Sequence, residues 1–311
     1  MMKPGLALLI GLLFQALCSA ACPIQRGAAS GSSVWLLCES NELLVSIDGG
    51  STWQTRKLPQ EEKFRAVWLL DQRRGFVAGN GGLLLATDDG AESWKRVALP
   101  TQENLTSMYF VGDSGWLAGW TGLILHTKDA GKTWVRQQSG VLHGLESVYF
   151  ADVQHGWIVG WAGSILRTTD GGATWQQVKT EKSLWSLDGV YFADALRGWA
   201  VGFGGQILAT NDGGVTWKEQ PRPVQGWLRS LACNSAGRCW IASDRHLLVS
   251  EDRGETWKAV PDEGMPFLHQ VLPVKDSLWA LGQFGVLRQS KGEPAFTALA
   301  TLPGEKRPQA P

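Results

Sequence analysis

The sequence predicts an all-β fold, a seven-bladed β-propeller with Asp-box turns and four-stranded blades. Three observations carry this. An eight-residue stretch occurs six times: SIDGGSTW (46–53), TDDGAESW (87–94), TKDAGKTW (127–134), TTDGGATW (168–175), TNDGGVTW (210–217) and SEDRGETW (250–257). Its tryptophans, Trp53, Trp94, Trp134, Trp175, Trp217 and Trp257, are 41, 40, 41, 42 and 40 residues apart. A second aromatic column, Trp35, Phe76, Trp116, Trp157, Trp199, Trp240 and Trp279, sets the number of units at seven. The composition agrees, since 38 glycines and 17 tryptophans suit short strands, tight turns and large aromatics between layers. A period of ~40 residues with several strands per unit is a propeller blade.

Within a unit the strands are bounded by Gly, Asp or Asn. The fourth unit reads LESVYFAD (strand a), GWIVG (b), SILRTT (c) and TWQQVK (d). The first unit lacks a clear strand a, because only CPIQRGAASGSS precedes VWLLCES. Either that segment supplies a poor strand or the chain terminus closes the ring there. The seventh unit keeps its strands but has lost the box, with Phe296 near the tryptophan position.

The ends read differently. Lys3, the apolar run Gly5 to Leu17, and the small residues Ser19 and Ala21 before Cys22 make 1–21 a secretory signal peptide. The propeller is expected over 22–301, and 302–311 reads as a disordered tail. Cys22, Cys38, Cys233 and Cys239 would remain after cleavage, an even number that suggests two disulfides in an exported chain. Cys233 and Cys239 are close enough to staple one hairpin, and Cys22 and Cys38 would then pin the N-terminal segment. A lipid-anchored Cys22 is the competing reading, although Ser19 stands where such signals normally carry leucine.

The box itself reads as structural. Its glycines permit the positive φ of the turn between strands c and d. Its aspartate can accept backbone N–H groups as Asx-turns do, and its tryptophan packs between blades. A feature repeated in every blade is a staple, whereas a catalytic pair occurs once. One acid per turn also lacks the alternating oxygens of a calcium loop.

These residues resemble the Asp-box (BNR) repeat of sialidases, sortilin-type receptors and several glycosidases. The longer unit, V-Y-F-A-D…G-W-x-V-G-x-x-G-x-I-L-x-T-x-D-G-G-x-T-W, is similar to the photosystem II stability and assembly factor family, including its relatives in non-photosynthetic bacteria. The resemblance covers roughly residues 34–300. It implies an exported, non-enzymatic photosynthesis-type assembly factor that holds a membrane-protein complex or its assembly intermediate at a periplasmic or thylakoid-lumen surface.

Other function classes find little footing. Formal net charge is zero, from 29 basic and 29 acidic residues, so no global field favours nucleic acid. Tyr109, Tyr149 and Tyr191 share one strand-a position, leaving no spare tyrosine for sialidase chemistry. The five histidines make no paired-ligand spacing, and no cofactor motif occurs. One carboxylate pair remains. The residue after the leading Leu or Phe of strand a is Arg65, Thr106, Glu146, Asp188, Arg229 and His269, a column expected to ring the mouth of the central channel. Glu146 and Asp188 lie in adjacent blades, an arrangement that allows a general acid and base for glycoside hydrolysis. A solvated, mixed-charge lining is the plainer reading.

Counting tryptophans locates a candidate site. Six belong to boxes, six to the strand-b column and Trp68 to strand a, which leaves Trp120, Trp161, Trp185 and Trp227. Trp120 and Trp161 fall in b–c loops, where Phe203 holds the same place, and Trp185 and Trp227 fall in d–a loops. Those loops share the face opposite the boxes. Water-exposed aromatics beside Arg65, Arg229 and Arg245 predict a partner surface of a monomeric protein, or a platform for sugar rings.

Overall fold

A computed structural model describes residues 22–59, 62–179, 185–260, 267–283, 285–290 and 296–298. The expected signal peptide (1–21) and tail (302–311) lie outside the described residues. Seven four-stranded antiparallel sheets follow one another, each made of four consecutive strands. The innermost strands are Ile24–Ser30, Phe64–Leu69, Leu105–Val111, Leu145–Phe150, Leu187–Phe192, Leu228–Cys233 and Leu268–Val274. Each contacts the next, and the last contacts the first, so the sheets close a ring around an axis. The fourth blade matches its reading closely, with later strands Gly156–Gly160, Ile165–Thr168 and Gln176–Gln177.

Ile24–Ser30 settles the ambiguity at the first blade, because it pairs with Ser33–Cys38 as a complete strand a. Its sequence, IQRGAAS, lacks the alternation that marks the other inner strands. Gly27 is needed there for space: a Cβ would meet Leu281 Cδ1 at 2.6 Å. Its N–H donates to the Gln270 amide oxygen at 2.7 Å, and its carbonyl accepts from Gln270 Nε2 at 3.1 Å. That side-chain amide joins blade 7 to blade 1 in place of a shared strand. Disulfides link Cys22 to Cys38 and Cys233 to Cys239, the second pair directly opposite on one hairpin.

The boxes act as expected, and more tightly. In the fourth, the Thr168 hydroxyl donates to Asp170 Oδ1 at 2.7 Å and accepts Gly172 N–H at 2.8 Å. Asp170 also accepts Thr174 N–H at 2.9 Å and the Thr174 hydroxyl at 2.6 Å. Hydroxyls and amides aimed at one carboxylate favour its charged form. The carboxyls of Asp48, Asp129, Asp170 and Asp252 are each lowered to about 2, first by the following threonine hydroxyl.

Each strand-b aromatic then reaches into the next blade's box. Trp116, Trp157 and Trp199 donate their indole N–H to Gly171, Gly213 and Gly254 carbonyls at 3.0, 2.9 and 3.0 Å. The second box glycine is required twice over. Gly214 sits at φ +79°, and a Cβ there would lie 2.5 Å from Trp157 Nε1. Gly50 stands in the same relation to Trp279, 2.4 Å away, which carries the contact across the closure of the ring. Where the next box is altered the bond is lost. The second blade has Ala91 at that glycine, and the seventh has no box. Trp35 and Trp240, the aromatics facing them, hold buried indole N–H groups without a partner among the described residues.

Two outcomes are expected. Gly214→Ala should destabilise by ~2–3 kcal/mol through clash and positive φ together. Gly81→Ala, at φ +62° with open space around it, should cost about 1 kcal/mol from conformation alone. Equal losses in melting experiments would refute the interlock. The second concerns acid. The box aspartates have folded pKa values below the unfolded value near 4. Their contribution is therefore complete above that value and disappears as pH falls through about 2. The melting temperature should drop between those limits, and less steeply in Asp170→Asn; an unchanged slope in that variant would contradict the assignment.

Candidate docking face at the channel mouth

The b–c connections of blades 3, 4 and 5 are single 3₁₀ turns, Trp120–Gly122, Trp161–Gly163 and Phe203–Gly205. In each, the aromatic N–H donates to the residue just before the same blade's strand a. Trp120 bonds Asn104 O at 2.9 Å, Trp161 bonds Gly144 O at 2.8 Å, and Phe203 bonds Ser186 O at 2.9 Å. The turn thus seats its aromatic above the channel-mouth position of that blade. The boxes bond instead to the a–b turns, as Gly171 N–H does to Gln154 O at 2.9 Å.

The predicted residues come together there. Trp120 packs on Trp161 with ring centroids 5.7 Å apart. Trp185 stacks on Phe203 at 4.9 Å, and Phe203 meets Trp227 edge-on at 5.4 Å. Arg65 lies over Trp120 at 5.5 Å and donates to Asn80 Oδ1 at 2.7 Å. Arg229 lies over Trp227 at 4.7 Å and donates from Nε to Asp244 Oδ1 at 2.8 Å. Arg245 is exposed on the next turn, and its side chain contacts none of the others among the described residues.

Exposure corrects one expectation. Trp161, Trp185 and Phe203 are 42%, 53% and 39% exposed, as a surface site requires. Trp120 and Trp227 are half-buried, because each is sandwiched between a guanidinium and a neighbouring ring. Trp227 also donates its indole N–H to Asp188 Oδ2. Leu142 (86% exposed) and Phe267 (44%), both in d–a loops, belong to the same face. A count restricted to tryptophan passed over them, and the signal was an apolar residue in a loop flanked by Gly or Pro.

Below the aromatics, the inner strands enclose a cavity of about 260 Å³ along the axis. Arg26, Thr106, Glu146, Asp188, Arg229, His269 and Gln270 line it. Arg26 is the functional residue that the sequence reading missed, since its strand was the one without a clear pattern. Glu146 is raised above the usual carboxyl range by burial first and then by Asp188, against the Trp161 indole bond and the charges of Arg26 and Arg65. Asp188 is raised by burial, opposed by the Trp227 bond and by Arg229 and Arg26. His269 is pushed down to about 4 by burial, then by Arg26 and Arg229. Both carboxylates therefore serve as acceptors that fix indoles of the face. No metal-binding cluster of His, Cys, Asp and Glu occurs among the described residues.

Comparisons with known proteins place this architecture. The model of the family described as photosynthesis system II assembly factor YCF48 matches residues 28–105, 67–142 and 175–273. A curated relative, the photosystem II assembly lipoprotein Ycf48 of Synechococcus sp. (strain CC9902), is 31% identical over 83 residues, 26% of this chain and 25% of the relative. The chain thus matches about a quarter of that relative's length. A solved structure of YCF48 bound to D1 peptide superposes with a TM-score of 0.63 at 19% identity, over 81% of this chain and 84% of the other. An ancestral GH74 enzyme superposes at 0.74 with 14% identity, over 90% of this chain and 46% of the other. At such identities the superpositions show the fold, which assembly factors and enzymes share.

Proposed function

The chain belongs to the photosynthesis system II assembly factor YCF48 family, and we propose that it is an exported, non-enzymatic scaffold that docks a membrane-protein complex, or an assembly intermediate of one, on its channel-mouth face. The observation that carries this reading is the one-sided crescent of Trp161, Trp185 and Phe203, held by Trp120, Trp227, Arg65 and Arg229. Exposed aromatics beside arginine are what interface hot spots favour. Export is supported by the leader-like residues 1–21 and by two disulfides, which persist in oxidising compartments. The bond between Cys22 and Cys38 occupies the sulfur that a lipid anchor would need, favouring the disulfide over lipidation.

Against hydrolysis stands the use of Glu146 and Asp188, each committed to an indole N–H. A second reading, carbohydrate binding, is favoured by the stacked Trp185–Phe203 pair, whose faces would suit sugar rings.

Trp161→Ala and Trp185→Ala should melt near wild type yet lose capture of a cross-linked native membrane partner, by ~2 kcal/mol or more per hot-spot ring. Trp157→Ala, at 1% exposure, should lose ~3–5 kcal/mol of stability. If all three melt early and capture follows stability, the face is packing. Saturable oligosaccharide binding, lost in Trp185→Ala while membrane capture persists, would install the carbohydrate reading.

A further inference from the structure

The axial cavity holds more cationic chemistry than its internal pairs consume. Arg229 gives Nε to Asp244, and no bond from its two terminal nitrogens is seen among the described residues. Arg26 extends from the first blade into the same cavity, donating one bond at 2.9 Å, to its neighbour's carbonyl Gln25 O. Among the described residues it forms no ion pair, although two carboxylates line the cavity with it. Those carboxylates are engaged elsewhere, Glu146 by Trp161 and Asp188 by Trp227. The Gln270 amide is saturated by Gly27 at both ends and is unavailable to neutralise either guanidinium.

The mutual effects of these groups agree. Arg26 is lowered by burial and next by Arg229. His269, on the adjoining inner strand, is held neutral by burial and by both arginines. Like charges have thus been gathered in a confined, part-desolvated space, which is stable when a bound anion offsets them. Planar guanidiniums with unused paired donors match the two oxygens of a carboxylate or phosphate.

We propose that the axial cavity is an oxyanion-binding site, with Arg26 and Arg229 as its paired donors and His269 on its wall, taking a carboxylate or phosphate group that enters between the aromatics of the docking face. The site deepens the docking reading, and rests on it only for the identity of the protein that delivers the anion. A cavity of about 260 Å³ accepts one such group with the side chain that bears it.

The test uses the disulfide-bonded protein alone, titrated by calorimetry and thermal melting with inorganic phosphate and, separately, with acetate. Ionic strength is held constant with chloride. Saturable binding of either anion is expected, with affinity falling at least tenfold in Arg26→Gln and in Arg229→Gln. Arg136→Gln, on an exposed outer strand, should bind as wild type, and Arg26→Lys should bind between wild type and Arg26→Gln. The imidazole signal of His269 should titrate at higher pH when the site is filled, a readout that does not depend on stability. A phosphate preference points to a phosphate ester and an acetate preference to a carboxylate. Absence of saturable binding by both anions, or equal binding in Arg26→Gln and Arg136→Gln, would overturn the site. Loss of membrane capture with anion binding intact would fault the docking reading alone.

Discussion

The ring depends on one contact, the strand-b aromatic of one blade laid against the second box glycine of the next. No strand is exchanged between the first and last blades, so closure rests on side chains that cross blade boundaries. Trp279 against Gly50 and Gln270 against Gly27 bind blade 7 to blade 1. The glycine provides both a left-handed backbone and room for an indole, two demands that no other residue meets at once. The aspartate network keeps the turn in the shape that brings the glycine there. This is why the box recurs with its tryptophan partner, and why blades with altered neighbours leave an indole unsatisfied.

Function arises where the repeat departs from itself. Every blade offers a b–c turn and a channel-mouth position, but only blades 3 to 5 seat a large aromatic in the turn. The channel-mouth column changes from Arg65 through Thr106, Glu146 and Asp188 to Arg229 and His269. The repeat supplies rigidity, and the variable positions supply chemistry on a surface that does not need to reorganise. Glu146 and Asp188 illustrate the coupling, since each acid holds a tryptophan of the face in place.

Fold and site were legible to different depths. The two aromatic columns specify seven blades because their spacing is imposed by the interlock, and such a constraint leaves a period in the chain. Strand a of the first blade left none. It carries Arg26 and Gly27, chosen for a charged cavity and a tight seam, in place of alternating apolar residues. The aromatic face was found by subtracting the repeat's own tryptophans, a method that works because the repeat is strict. It could not distinguish Trp161, which faces water, from Trp227, which is drawn inward by Asp188. Nor did it reveal Leu142 or Phe267, whose only mark is exposure. Pairwise geometry across blades, such as Arg229 with Asp244 and Arg65 with Trp120, has no signature in spacing.

The central claim is that one face is built for docking and the other for holding the ring. Hydrogen–deuterium exchange of the chain with and without its captured membrane partner tests it most directly. The account predicts new protection in the turns at 120–122, 161–163 and 203–205 and in the loops leading to Leu145, Leu187 and Leu228, with the boxes unchanged. Protection confined to the box turns, with the aromatic face exchanging as in the free protein, would contradict it.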